Sequence, residues 1–300
     1  MNLNIFGRSV QGASHKRTDL PCQDWFRCFV LDDGTIVMAA ADGHGSNSCP
    51  YSDTGSKSAV NVFCDLMKEL HSRYAGEHEM LLTYLNREGD TRVAQAIDKE
   101  WKRRIYERHR DNKRPMPETE DKKKKLLEIY KQYGTTLLGL MITPTFYFAF
   151  QLGDGDISYV DNYGFQRVIE GDKILGIETH SLSKEDSWRK AITSVRRRNA
   201  TECLPAVYMM STDGFSNSFL DENEYQKTCV EYFDMLKEHG PKVIAANLRE
   251  WLNETSAMGC GDDITVGFAF FDAVSEASEP DVVVPTNHIE SDSEVGEQNA

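Results

Sequence analysis

Acidic residues at the ends of apolar runs are the feature of this sequence most able to do chemistry. Asp42 follows Ile-Val-Met-Ala-Ala-Ala, Asp154 follows Phe-Ala-Phe-Gln-Leu-Gly, and Asp213 follows Val-Tyr-Met-Met-Ser-Thr. Asp262 and Asp263 directly precede Ile-Thr-Val-Gly-Phe-Ala-Phe-Phe. Each run is typical of a buried strand, so the pattern puts a carboxylate at the mouth of each strand.

Two interpretations of these acids stay open at this point. Carboxylates that converge repel one another unless cations neutralise them, and oxygen ligands without histidine or thiolate select hard ions such as Mg²⁺ or Mn²⁺. Aspartate next to glycine is also common turn chemistry. Four such positions, each abutting an apolar run and three followed by a glycine, favour a metal site.

The apolar runs predict the strands that must position the acids. Phe26–Leu31 and Thr35–Ala41, joined by Asp32-Asp33-Gly34, predict a β-hairpin. Further strands are predicted at residues 135–143, 146–152, 157–161, 165–169, 206–212 and 264–271. Short turns join the first four of these, which favours an antiparallel meander.

Apolar residues at helical spacing predict four helices between the strands. They cover Ala59 to Leu70, Val93 to Ile105 after a cap at Asp90 or Thr91, Tyr225–Leu236 and Val243–Leu252. Strands outnumber β-α-β alternations, so the order favours an α+β protein, with helices covering antiparallel sheets, over a doubly wound parallel sheet. No repeat or internal linker divides the chain, which predicts one domain over residues 1–272.

Composition limits the partners. The 300 residues carry 34 Lys and Arg against 48 Asp and Glu, a formal charge of −14, which disfavours binding to the phosphate backbone of nucleic acids. Residues 273–300 contain seven acids and no Lys or Arg, which predicts a disordered acidic tail. The strongly charged stretch at about 103–125 predicts a solvated helical insertion.

Cysteines and the N-terminus set the expected compartment. The seven cysteines are scattered, odd in number and without a C-x-x-C pair, which is typical of reduced thiols and not of a zinc or redox motif. The N-terminus lacks the basic start and apolar run of a signal peptide, and no stretch approaches the ~20 apolar residues of a membrane span. A cytoplasmic protein that does not contact a membrane is the default expectation.

The order of short motifs along the chain favours the metal interpretation. Those motifs are Gln23-Asp24, Asp42-Gly43-His44-Gly45, Gly134-Thr135-Thr136, Gly153-Asp154, Ser211-Thr212-Asp213-Gly214 and Gly261-Asp262-Asp263-Ile264-Thr265-Val266. In this order they resemble the motifs of the metal-dependent protein phosphatases of the protein phosphatase 2C type. Gly12-Ala13-Ser14-His15 with Cys22-Gln23-Asp24 resembles the compact bacterial branch of that family.

The resemblance implies a role for each matching position. Asp42 would bridge two Mn²⁺ or Mg²⁺ ions, with the Gly43 carbonyl on one of them. Asp213 and Asp262 would complete the other ion's ligands. The remaining implied roles are waters on the metals held by Asp24 and Gln23, a weaker third ion held by Asp154, and a general acid supplied by His44.

The resemblance also implies a fold and an activity. The fold is a four-layer αββα sandwich, in which two antiparallel sheets are flanked by helices. The activity is hydrolysis of serine and threonine phosphomonoesters in proteins by a metal-activated water, in a monomer that opposes a Ser/Thr kinase. A pseudophosphatase that serves as a regulatory scaffold and a small-molecule phosphomonoesterase remain as alternatives.

Several positions depart from the family pattern. Many relatives have a phosphate-gripping arginine four residues before Gln23, where this chain has Asp19, so phosphate contact is expected from Arg17 or His15. Gln23 replaces a common Glu, and Asp263 stands where Asn is usual.

Two further segments leave the family pattern. Gly155-Asp156 replaces the usual Ser-Arg, so no phosphate role transfers there. Residues 172–205 occupy the place of the family's mobile flap. Arg196-Arg197-Arg198 within it is interpreted as a solvated face, with recognition of a phosphorylated partner as the alternative.

Other phosphate chemistries lack their motifs. No His-Cys-x5-Arg loop of a cysteine phosphatase occurs in the chain, and no G-x-x-x-x-G-K-[ST] loop of a P-loop enzyme.

Overall fold

Two antiparallel five-stranded sheets form the centre of the molecule. A computed structural model describes residues 2–170, 180–198 and 204–272. The first sheet has the order β2-β3-β4-β5-β8, with bounds Trp25–Val30, Ile36–Ala41, Leu137–Ile142, Phe146–Leu152 and Ile192–Arg197. The second has the order β1-β10-β9-β6-β7, with bounds Asn2–Val10, Ile264–Asp272, Ala206–Ser211, Asp156–Asp161 and Gly164–Arg167.

Helices cover the outer face of each sheet. In chain order α1 to α8 span Ala13–Thr18, Ser52–Tyr74, His78–Glu88, Ala94–Asp111, Lys122–Lys131, Asp213–Ser216, Glu222–His239 and Pro241–Met258. α2 packs on β2, β3 and β4, whereas α7 and α8 pack on the second sheet. Among the described residues no helix is long and apolar enough to cross a membrane.

Three apolar layers hold the four-layer arrangement together. One lies between the first sheet and α2 to α4, another between the second sheet and α7 and α8, and the third between the two sheets. In the third layer the Phe26 ring lies over the paired glycines Gly7 and Gly267, where a Cβ would come within 2.4 Å of the ring. The predicted α+β fold with two helix-flanked antiparallel sheets is confirmed.

The connection after β5 corrects the predicted meander. β4 pairs with β5 in the first sheet, but β6 and β7 pair in the second. The Gly153-Asp154-Gly155 turn carries the chain from one sheet to the other, and a Cβ on Gly155 would lie 2.7 Å from Leu138 and from the Ser211 carbonyl. The four strands therefore form two hairpins in different layers, because the crossover depends on contacts that are distant in sequence.

Several elements were not predicted, among them β1, β8 and α3. β1 and β8 are edge strands with polar residues, and each pairs only with a distant strand, β10 and β5. α3 continues through a π-helical turn, Gly89–Val93, directly into α4. The expected cap at Asp90 or Thr91 is therefore wrong, since the chain is already helical there.

The predicted charged, flap-like and tail segments differ in how much of each is described. Range 103–125 comprises the end of α4, a non-helical stretch and the first residues of α5. In the range 172–205, β8 and a 3-10 turn at Ser187–Lys190 are described, while residues 172–179 and 199–203 lie outside the described residues. The predicted disordered tail, 273–300, also lies outside them. Arg197 forms an exposed ion pair with Glu79, 2.5 Å apart.

Candidate metal centre

Strand ends from both sheets bring the predicted acids to one edge of the sandwich. Asp24 precedes β2 and Asp42 follows β3, and the adjacent residues Trp25 and Ala41 are cross-strand partners. Asp213 follows β9 and Asp262 precedes β10, which is the neighbouring antiparallel strand. The end of one strand and the start of its antiparallel partner meet at the same edge, so four predicted acids share it.

A threonine hydroxyl links the two sheets at this edge. Thr212 Oγ1 donates to Asp24 Oδ2 at 2.7 Å and accepts the Thr265 backbone N–H at 2.9 Å. Asp24 belongs to the first sheet, while Thr212 and Thr265 belong to the second. This hydrogen-bonded chain fixes one Asp24 oxygen and leaves the other free to face the cluster.

Burial and mutual repulsion raise the pKa of the acids Asp24, Asp42, Asp213 and Asp262. Burial, followed by the charges of Asp24, Asp213, Asp262 and Asp154, raises the pKa of Asp42 well above its ordinary value. Since Asp154 contributes here, the structure brings it near the cluster from the β5–β6 turn. Four carboxylates that act on a fifth form a strongly negative site.

The neighbouring carboxyls respond in the same way. Burial and then Asp263 raise the pKa of Asp24, and burial and then Asp154 and Asp262 raise the pKa of Asp213 to about 7. Burial raises the pKa of Asp262. Divalent cations are the species that such a donor set binds in proteins.

Two buried oxygens support this interpretation. Within the described part of the chain, Gln23 Oε1 and Asp24 Oδ1 are buried and have no hydrogen-bond partner. A buried polar atom without a partner is costly, so a bound ion or its water explains both. No three of these carboxylates, all of them described, bring an oxygen each within 4.8 Å of one another. Oxygen ligands of one Mg²⁺ lie closer together than that, at about 2.0–2.1 Å from the ion, so an ion shared by three of them would draw their side chains together.

The Asp42-Gly43-His44 loop is held by backbone contacts. Thr136 N–H and Thr135 Oγ1 donate to the Asp42 carbonyl at 2.9 and 2.7 Å, and His44 N–H donates to the Gly134 carbonyl at 3.0 Å. These bonds fix the backbone positions from which the Asp42 and His44 side chains extend.

Close packing requires glycine at Gly43, in this loop, and at Gly134, in the segment that the loop contacts. A Cβ on Gly43 would lie 2.7 Å from the carbonyl oxygens of Gln23 and Ser52. A Cβ on Gly134 would lie 2.7 Å from the His44 ring. The half-buried His44 ring thus packs closely on Gly134.

Asp263 organises the residues around the acids and was noted from the sequence only as an added charge. Its buried carboxylate accepts the backbone N–H groups of Gly12 and Gln23, each at 2.6 Å, and His15 Nδ1 at 2.9 Å. Because the carboxylate accepts, His15 Nδ1 carries the hydrogen. No sequence signal would have shown this, since two of the partners lie 240 and 251 positions away.

The two predicted phosphate contacts lie on α1. His15 is brought to the site, with Nε2 3.7 Å from Asp262 Oδ1 and facing Gly45. Arg17 is exposed and makes no hydrogen bond or ion pair with any residue that the structure describes. Asp156 belongs to the Gly155-Asp156 pair that replaces the family's usual Ser-Arg. It is buried, and its carboxylate accepts a hydrogen bond from Arg167 Nη1 at 2.5 Å.

A cleft of about 510 Å³ opens beside His44. Most of the residues that line it are of polar types, and the lining includes Cys49, Lys131, Ser181, Ser183 and Lys184. Ser181 Oγ accepts the Thr135 N–H at 3.1 Å, and Thr135 in turn binds the Asp42 carbonyl. Sequence reasoning missed this cleft because its walls come from α5, the loop after β3 and the 181–185 segment.

Comparisons with known proteins agree with this architecture. The sequence model of the protein phosphatase 2C family matches residues 11–253. No curated protein matches the chain. The fold is similar to that of the S. agalactiae serine/threonine phosphatase, with 16% identity, a TM-score of 0.56, and coverage of 90% of this chain and 100% of that one.

Two further structures show the same fold. The Mycobacterium tuberculosis serine/threonine phosphatase PstP is 14% identical, with a TM-score of 0.54 and coverage of 91% of this chain and 100% of that one. A PstP catalytic domain solved with two manganese ions is also 14% identical, with a TM-score of 0.52 and coverage of 91% and 99%. The family match covers most of the chain, and the fold agrees with it. The chain belongs to the protein phosphatase 2C family.

Proposed function

We propose that the protein is a metal-dependent serine/threonine protein phosphatase. The observation that carries this proposal is the convergence of Asp24, Asp42, Asp154, Asp213 and Asp262 on one another, which concentrates negative charge in one site. Family membership supports the reaction class, and the PstP domain that holds two manganese ions supports the choice of ion.

Each acid has a proposed place around two Mn²⁺ or Mg²⁺ ions. Asp42, on which the charges of four other acids act, would be a ligand of both ions, and the Gly43 carbonyl would be a ligand of one. Asp213 and Asp262 would hold the second ion.

Three further residues complete the proposed set. Asp24 Oδ1 and Gln23 Oε1 are the buried oxygens without partners, and they accept from waters at the edge of the site. Asp154, on the β5–β6 turn, holds a weaker third ion.

Two divalent ions in this site lower the pKa of a bound water to near neutrality and neutralise the phosphoryl oxygens. The protein supplies the remaining functions. His44 donates a proton to the departing serine or threonine oxygen, which is a poor leaving group when it is not protonated. His15 and Arg17 contact the substrate phosphate from α1, His15 through the Nε2 atom that Asp263 leaves available.

The cleft beside His44 supports a protein substrate. Its volume of about 510 Å³ suits residues that flank a phosphorylated side chain, and its lining includes Lys131 and Lys184 together with Glu185. The substrate class is therefore phosphorylated protein, and a Ser/Thr kinase that adds the phosphate is the implied counterpart. We further propose that the protein acts as a monomer in the cytoplasm.

Release of inorganic phosphate from phosphoserine and phosphothreonine peptides tests the proposal. We expect turnover with Mn²⁺ or Mg²⁺, none with chelator, and a loss of at least 100-fold in Asp42→Asn because one ligand charge disappears. Asp111→Asn, an exposed acid on α4, serves as the matched control. Hydrolysis of small phosphomonoesters without peptides would indicate a small-molecule enzyme, and no hydrolysis by the metal-loaded protein would indicate a scaffold.

A further inference from the structure

A second cluster of metal-binding side chains lies at the opposite end of β3 from Asp42. Asp33, in the β2–β3 turn, His71, in the last turn of α2, and His78, at the start of α3, come together there. One ligand atom of each lies within 4.8 Å of the others, and among the described residues this is the only such group of three. Since β3 has six residues at ~3.3 Å each, about 20 Å separate the cluster from the acids.

Three hydrogen-bond donors crowd one oxygen of this cluster. Asp33 Oδ2 is 2.8 Å from His71 Nε2, 2.9 Å from His78 Nε2 and 3.0 Å from Thr35 Oγ1. A carboxylate oxygen has about two lone-pair sites, so the third donor has no good position. A cation that takes the imidazole lone pairs removes this competition and leaves Oδ2 to the ion and Thr35.

The two distances from imidazole nitrogen to the Asp33 oxygen are close to those around a tetrahedral ion. Ligand atoms at about 2.0–2.1 Å from a common centre lie roughly 3.3 Å apart in a tetrahedron. The two Nε2 atoms need to move by only about half an ångström from Asp33 Oδ2 to reach that separation. Both histidines have terminal side-chain torsions that allow such a shift while their helices stay in place.

The surroundings suit a site with one open position. The His71 and His78 side chains are 16% and 15% exposed, and that of Asp33 is 30% exposed. Phe146 meets the His78 ring edge-on, with the centroids 6.5 Å apart, so the inner side of the cluster is apolar. The outer side admits water as a fourth ligand.

We propose that Asp33, His71 and His78 bind one Zn²⁺ ion in a site that is separate from the carboxylate cluster. Two imidazole nitrogens, one carboxylate oxygen and a water form a donor set that zinc takes in proteins. The ion ties the β2–β3 turn to the corner between α2 and α3. It therefore acts on stability and not on phosphate chemistry.

Zinc titration of the Asp42→Asn/Asp213→Asn protein tests the proposal, because this background weakens the carboxylate site. We expect one Zn²⁺ per chain by calorimetry or by competition with a chromophoric chelator. Adding His71→Gln and His78→Gln should weaken binding at least tenfold, whereas adding His239→Gln, an exposed histidine at the end of α7, should not change it. Equal binding in all three proteins, or none in the background protein, overturns the proposal.

Two other measurements do not depend on the histidine variants folding. Co²⁺ in the background protein should give the intense visible absorption of tetrahedral coordination, and not the weak bands of an octahedral oxygen site. Zn²⁺ at a hundredfold excess over its Kd should raise the melting temperature by roughly 5 °C. Weak octahedral bands together with an unchanged melting temperature would show that the three side chains only form hydrogen bonds with one another. That result refutes the zinc site.

Discussion

At the scale of single residues, like charges held together explain both the chemistry and a cost in stability. Burial and then the charges of Asp154 and Asp262 raise the pKa of Asp213 from 3.8 to about 7, and the pKa of Asp42 rises for related reasons. An ionised carboxylate with a raised folded pKa destabilises the fold. The acids that make the site useful therefore make the metal-free protein less stable.

We predict that the metal-free protein becomes less stable as the pH rises from 5.5 to 8. Between the unfolded pKa of 3.8 and the folded value of about 7, the folded state of Asp213 binds more protons than the unfolded state. Stability therefore falls with rising pH in this window, by about 2 kcal/mol for this one group. Denaturation in chelator at the two pH values measures the difference.

Asp213→Asn should flatten this dependence, and Mn²⁺ should reverse it in the native protein. A metal-free protein that is equally stable or more stable at pH 8 would contradict the interpretation.

Adjacent Asp262 and Asp263 should give opposite results when replaced by alanine. Asp262 is a proposed metal ligand, so its loss should abolish metal-dependent turnover. Its side chain is 51% exposed, so the same change should alter the free energy of unfolding by less than about 1 kcal/mol. Asp263 is buried and accepts three hydrogen bonds, so its loss should cost about 2–4 kcal/mol. Urea denaturation and phosphate release on both variants distinguish the two roles, and equal stabilities would refute the difference.

The sequence predicts the residues of the candidate centre where the signal is local. Asp42, Asp154, Asp213 and Asp262 each adjoin a continuous apolar run, and such runs are visible without any partner strand. The hydrogen bonds of Asp263 and the cluster at Asp33 depend on residues that only the fold brings near. Asp33 was therefore interpreted as a turn residue alone.

At the scale of elements, the start of α2 is held closely against the segment before β4. Tyr51 N–H donates to the Gln132 carbonyl at 2.9 Å, and Trp101 Nε1 donates to the Gly55 carbonyl at 3.0 Å. A Cβ on Gly55 would lie 2.0 Å from the Tyr133 carbonyl oxygen. Gly55 thus lets α2 approach the Gly134-Thr135-Thr136 segment that binds Asp42.

We predict that Gly55→Ala destabilises the protein by about 1–3 kcal/mol because α2 and the Tyr133 backbone must move apart. The sign of the change in the free energy of unfolding is informative, because alanine normally stabilises a helix interior by about 1 kcal/mol over glycine. Lys68→Gly and Lys68→Ala, at an exposed position of the same helix, provide the normal comparison. Free energies of unfolding from urea titration measure all three variants, and a more stable Gly55→Ala would show that the contact is absent.

Elements were predicted well where their own residues carry the pattern. The β2–β3 hairpin, β5, α7, α8 and β10 have strong apolar periodicity or continuous apolar runs. β1 and β8 are edge strands that contain residues such as Asn4 and Arg196, so their alternation is weak. Pairing with β10 and β5 supplies the stability that their composition does not indicate.

At the scale of the whole molecule, β10 is the last described element, and it joins two strands of the second sheet. β10 pairs with both β1 and β9, and its last residue, Asp272, is opposite Asn2. The order of strands and helices predicts the α+β class, and the resemblance to the protein phosphatase 2C family implied the four-layer arrangement. The assignment of β6 and β7 to the second sheet could not be predicted, because it depends on the path of one short turn.

We predict that ending the chain after Asp272 leaves phosphatase activity and melting temperature unchanged. The residues of the candidate centre and the three described apolar layers all lie before residue 273. The acidic composition of residues 273–300 gives them little apolar surface to bury. Kinetics and thermal denaturation of the shortened and full-length proteins provide the comparison, and a loss of more than half the activity would assign the tail a role.

Anomalous diffraction from a crystal soaked in Mn²⁺ tests the central claim most directly, because it locates the ions without reference to activity. We predict two strong peaks about 3.5–4 Å apart, with Asp42 between them and Asp213 and Asp262 on one ion. A crystal soaked at a saturating concentration of Mn²⁺ that shows no peak among these three carboxylates would contradict a two-metal phosphatase.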